Sequence, residues 1–82
     1  MNPVERDVRM LLECNDDAKS MENARNIVLP RAARHHGRII KTAKRLGRTY
    51  AIYQDLLSDA SQLRYAVRLF VQRYRAFKDA QP

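Results

Sequence analysis

Eighty-two residues, 45% hydrophobic and 30% charged with two glycines and three prolines, exclude a disordered chain and leave room for one small helical domain (residues 1–82). A net charge of +7 and a pI of about 10.2 favour an acidic partner. The lone Cys14 excludes an internal disulfide, and no run of some 18 apolar residues exists to span a membrane.

The charge is segregated. Residues 1–29 carry four basic and six acidic side chains, whereas residues 30–82 carry twelve basic and three acidic ones. The opening MNPVERD puts acids where a secretory or mitochondrial leader wants bases, so a cytoplasmic address is expected.

Asn2-Pro3-Val4-Glu5 reads as a helix start: a capping Asn, a Pro at the first helical position and an acid where a capping box places one. Val4, Val8, Leu11 and Leu12 repeat at helical spacing, predicting a first helix from Pro3 to about Cys14. Asn15-Asp16-Asp17 interrupts it and caps the next helix. Ala18, Met21, Ala24 and Val28 form a weaker stripe, and Pro30 predicts a boundary at Val28–Leu29 because proline disfavours helical geometry in the residue before it.

The stretch from Pro30 to Arg48 holds seven basic residues and no acid. Wound at about 100° per residue, Arg31, Arg34, Arg38, Lys41, Arg45 and Arg48 fall on one side and Ala32, Ala33, Ile39, Ile40, Ala43 and Leu46 on the other. Leu46-Gly47 looks like a helix end, yet the apolar seam at 32, 36, 39, 43, 46, 50, 53 and 57 keeps its phase through the glycine. One long helix over 31–57 is therefore expected, its half around Tyr50, Ile52, Tyr53, Leu56 and Leu57 forming the centre of the core. Ser58-Asp59 then reads as a restart, opening a helix to Lys78 with Leu63, Ala66, Val67, Phe70, Tyr74 and Phe77 as its seam. The fold class expected is all-α: a three- to four-helix bundle with a long antiparallel pair at about 31–57 and 59–78.

The six-residue cationic stripe is the candidate site. Its line of mostly guanidinium groups suits the phosphates of nucleic acid, DNA or RNA, gripped without reading sequence; regulation is one use for such a protein. The alternative is a helical adaptor or inhibitor that docks its cationic face on an acidic protein, and the plain reading is a solvated face. Ala43 to Gly47 followed by Tyr53 and Leu56 resembles the first helix and turn of a helix-turn-helix, although Arg48 stands where that motif carries an apolar residue.

No enzyme, metal or cofactor is expected. His35 and His36 are adjacent and so point about 100° apart, Cys14 has no partner spacing, and no paired carboxylates, nucleophile set or phosphate loop is present. Charging of the histidines in mild acid is expected to add to the positive field. Tyr65, Leu69 and Ala76 form a second apolar patch on the last helix, with Arg64, Arg68 and Arg75 in a polar strip between it and the seam. That patch is a candidate for base stacking through Tyr65 or, instead, for a homodimer face.

Overall fold

The computed structural model describes residues 2–81. The fold is all-α: α1 (Pro3–Glu13), α2 (Ala18–Asn23), a π-helical turn (Ala24–Val28), α3 (Leu29–Leu46) and α4 (Ile52–Asp79). α2, the π turn and α3 succeed one another without a gap, so the described residues form three helical rods.

α1 starts as its sequence dictates. The Asn2 side chain accepts from the Glu5 N–H at 2.8 Å and Pro3 occupies the first turn. The rod that begins at α2 is capped by Asp17, which accepts from Ser20 N–H at 2.8 Å and Ser20 Oγ–H at 2.9 Å.

The expected boundary at Val28–Leu29 is not there. Val28 and Leu29 both hold right-handed helical angles (φ −74° and −60°). The reason is the π turn: Leu29 N–H reaches back five residues to Ala24 O. The wider turn makes room for the Pro30 ring, which in a regular α-helix would press on the carbonyl four residues back.

The long helix expected over 31–57 is broken at Gly47, whose φ of +82° suits glycine because it has no Cβ to clash. Gly47 N–H still donates to Ala43 O at 2.9 Å, so α3 closes normally before the chain turns. Residues 47–51 link it to α4. The expected restart at Ser58-Asp59 is absent as well: α4 runs unbroken for 28 residues from Ile52. Ala60, Leu63, Ala66 and Phe70 are buried along it, and that burial outweighs the modest helix propensity of Ser and Asp.

The core also lies elsewhere than expected. Leu11, Met21, Ala24, Val28, Ala32, Leu63, Ala66 and Phe70 form it, with Val4, Val8, Ile39, Val67, Tyr74 and Phe77 packed around. Tyr50 and Ile52, placed at the core centre by the seam, are instead 57% and 50% exposed beside the link. The α4 seam from Leu63 to Phe77 does face the core as its spacing predicts.

Two arginines tie the rods together. Arg73 of α4 donates to Leu11 O, Leu12 O and Cys14 O at 3.4, 3.2 and 2.8 Å and to Asp16 Oδ1 at 2.6 Å. It thereby satisfies carbonyls that a helix end leaves without partners. The hydrogen bond with Asp16 holds its guanidinium above its ordinary pKa, against some loss from burial. The second tie is Arg31 of α3, which reaches across to Asp7 of α1.

Candidate nucleic-acid interface

Asp7 lies on the inner face of α1 and is fully buried. Arg31 Nε donates to its Oδ1 at 2.8 Å, Arg31 Nη2 lies 2.8 Å from the same oxygen, and His35 Nδ1 stands 2.9 Å from Oδ2. With its proton on Nδ1, His35 satisfies both atoms; with the proton on Nε2, both stand without a partner. A buried carboxylate demands such partners, so Arg31 and His35 are drawn from α3 toward α1. His36, one step round the helix, has a buried Nε2 with no partner among the described residues. The two histidines therefore stand inward of the cationic face, and His35 answers to Asp7.

The six stripe residues thus fall into three groups. Arg31 is half-buried on Asp7. Arg34, Arg38, Lys41 and Arg45 lie on α3, all exposed. Arg48 is exposed too, but past the end of α3, beyond Gly47. The four on α3 fall within about 60° of the helical wheel and span about 16 Å. Arg38, Lys41, Thr42 and Arg45 line a shallow hollow of about 330 Å³.

The stripe residues beyond Arg31 are unpaired among the described residues, whereas the cations at the helix junctions are paired. Among the described residues, Arg6 and Arg31 meet Asp7, Arg9 meets Glu13, Arg73 meets Asp16 and Lys78 meets Glu22. Arg34, Arg38, Lys41, Arg45 and Arg48 form no salt bridge among the described residues, and neither do Lys19, Arg25, Lys44, Arg64, Arg68 and Arg75. The field of this surface is left uncompensated by near neighbours, the condition under which a surface attracts polyanions.

Sequence reasoning passes over Asp7, Arg73 and Lys44. Asp7 carries a signal: it sits between Val4 and Leu11 at the three-four spacing of the buried seam, where a carboxylate must have a cationic partner. Lys44 lies about 60° from Lys41, the nearest of the four-residue row on α3, and so outside that row.

The remaining features offer little chemistry. Cys14 Sγ lies 3.7 Å from Arg73 Nη1 and 3.8 Å from Met21 Sδ. Among the described residues no group of three or more His, Cys, Asp and Glu is placed to hold a metal ion. None of their helices is long and apolar enough to cross a membrane. The chain does turn at Gly47, as the helix-turn-helix likeness requires, but the helix beyond the turn is the 28-residue α4 rather than a short recognition helix. On the candidate dimer patch, Tyr65 is 53% exposed and Leu69 half-buried.

Compared with protein-family models, with curated proteins and with solved structures, the chain matches none of them.

Proposed function

We propose that this is a cytoplasmic, non-enzymatic nucleic-acid-binding protein of one helical domain, and that α3 grips the phosphate backbone without reading sequence. The observation that carries the reading is the row Arg34, Arg38, Lys41 and Arg45: exposed, without salt bridges among the described residues, on a helix that contains no acid. Arg48 extends the row from the link. Arg31 holds Asp7 and serves as its anchor rather than as a leading phosphate contact. The reading takes α3 and α4 as an antiparallel pair closed by residues 47–51, with α1 laid over one side.

The test is fluorescence anisotropy with generic duplex DNA and single-stranded RNA across a salt series. Wild type is compared with a variant carrying Gln at positions 34, 38, 41 and 45. Each neutralised phosphate of a duplex contributes about −0.9 to the slope of log K against log salt. The variant's slope on DNA should be shallower by about 3 to 4. No binding of either probe by wild type at low salt contradicts the reading. In that case a discrete acidic protein retained on the wild-type chain, and lost from the variant, would support the adaptor alternative.

A further inference from the structure

We infer that Tyr50, in the link beyond the cationic row, is a stacking platform for an unpaired base, so that single-stranded nucleic acid gains there a contact that a duplex lacks. The inference rests on the reading of α3 as a phosphate-binding helix.

The apolar seam calls for Tyr50 inside the molecule, yet its side chain is 57% exposed, and Ile52 beside it is 50% exposed. Its backbone is nevertheless held on both sides. Tyr50 N–H donates to Gly47 O at 3.5 Å, and Tyr50 O accepts from Tyr53 N–H at 3.0 Å. The residue is thus tied to the end of α3 and to the start of α4. A tyrosine presented from a fixed backbone has two side-chain torsions to order, so it offers a large flat face at low entropic cost.

The turn also sets Tyr50 at the end of the cationic row. A turn closed from Gly47 to Tyr50 keeps their Cα atoms within about 7 Å. Arg45, the last member of the row on α3, precedes Gly47 by two residues, at most about 7 Å of chain. Tyr50 therefore stands within about 14 Å of Arg45, Cα to Cα. Arg48 lies inside the turn and is exposed, and residues 47–51 contain no acid. A cationic track that ends on an aromatic face is the combination by which proteins hold single strands: cations follow the backbone and a ring stacks on a base. Within a duplex both faces of each base are covered by its neighbours, which leaves nothing for the ring to stack on.

The tip would also suit an anionic membrane, where Tyr50 and Ile52 would enter the interface beside Arg48. A nucleic acid is favoured because two side chains are far less than the apolar face of an interfacial helix. The row also runs away from the tip along α3, where a strand can follow it.

The experiment compares wild type with Tyr50→Leu, which keeps an apolar side chain without a ring face, and Tyr50→Phe, which keeps the ring. Tyr65→Leu serves as a control, since Tyr65 is 53% exposed but lies on α4, which carries no stripe residue. The probes are a single-stranded DNA, an abasic strand of equal length and a long duplex, and circular dichroism checks that each variant remains helical. Tyr50→Leu should weaken binding of the single strand about 5- to 100-fold. Its salt slope should not change, because a neutral side chain displaces no counterion. Tyr50→Phe and Tyr65→Leu should bind the single strand within about 2-fold of wild type. All three should bind the abasic strand and the duplex as wild type does. The chain has no Trp, so Tyr50→Trp provides a single reporter, whose emission the single strand should quench and the abasic strand should not.

Wild-type affinity of Tyr50→Leu for the single strand overturns the inference while leaving the α3 reading standing, provided wild type binds. An equal loss on the abasic strand or the duplex, or an equal loss in Tyr65→Leu, overturns it as well. So does a blue shift of the Tyr50→Trp emission on vesicles of phosphatidylcholine and phosphatidylserine without quenching by the single strand, which would mark the tip as a membrane contact. If wild type binds no nucleic-acid probe at low salt, the inference falls together with the reading on which it rests.

Discussion

Two regions of this molecule use the same residue to opposite ends. At the junction with α1, arginine is a structural tie: Arg31 on buried Asp7, and Arg73 on the carbonyls that end α1. Elsewhere on α3 and α4, Arg34, Arg38, Arg45, Arg64, Arg68 and Arg75 stand exposed and form no salt bridge among the described residues. Residue type and helical spacing are shared by both regions. What separates them is the placing of Asp7 and Asp16, which meet Arg31 and Arg73 across the junctions with α1.

The sharpest way to break that contrast is to remove one arginine from each side. Arg31→Gln leaves a fully buried carboxylate without its main cation and should cost about 3–5 kcal/mol of stability. Arg38→Gln, in contrast, should stay within about 0.5 kcal/mol of wild type. Urea unfolding of the two variants checks this, and equal losses would dissolve the distinction between tie and free cation. Arg73→Gln comes next. It strips the α1 end of its donors and should cost about 1–3 kcal/mol, with faster amide exchange in α1.

Glycine sharpens the comparison at smaller scale. Gly37→Ala adds a Cβ in open space within a helix, and should raise stability by about 1 kcal/mol. Gly47→Ala meets a φ of +82° and should lower it by about 1–2 kcal/mol. Thermal melts of the pair should move in opposite directions.

The smallest effect is read against pH. Glu22 accepts from Tyr74 Oη–H at 2.8 Å and lies 3.0 Å from Lys78 Nζ, and these two partners hold its carboxyl below the ordinary 4.5. Its folded pKa lies under its unfolded one. The stabilisation is therefore complete above about pH 4.5 and lost as pH falls through the lowered value. Glu22→Gln should lose less melting temperature than wild type between about pH 6 and pH 3. An identical acid slope would remove Glu22 from the set of ties.

How much of this is legible in the sequence depends on whether the signal is local. The Asn2 and Asp17 caps, the α4 seam and the cationic side of α3 all arise from residues within a turn or two of one another. The helix breaks differ from expectation because two local rules are overridden. Pro30 should end a helix, but a π turn gives its ring room. The seam should carry a helix through Gly47, yet the chain turns there and resumes at Ile52 with Tyr50 and Ile52 exposed. The candidate site is visible as a row, but not as a divided one. That Arg31 belongs to Asp7 depends on a contact spanning 24 residues, which no periodicity reports.

The central claim is that where the charges sit, not how many there are, decides binding. The direct test is a pair of variants that each lose four positive charges: one with Gln at 34, 38, 41 and 45, the other with Gln at 6, 9, 19 and 25. Their duplex DNA affinities and salt slopes are measured side by side with wild type. The account predicts that the first loses about 3 to 4 units of slope while the second keeps a slope within about 1 unit of wild type. Equal losses from both would show that the chain responds to net charge alone, and would contradict a binding face on α3.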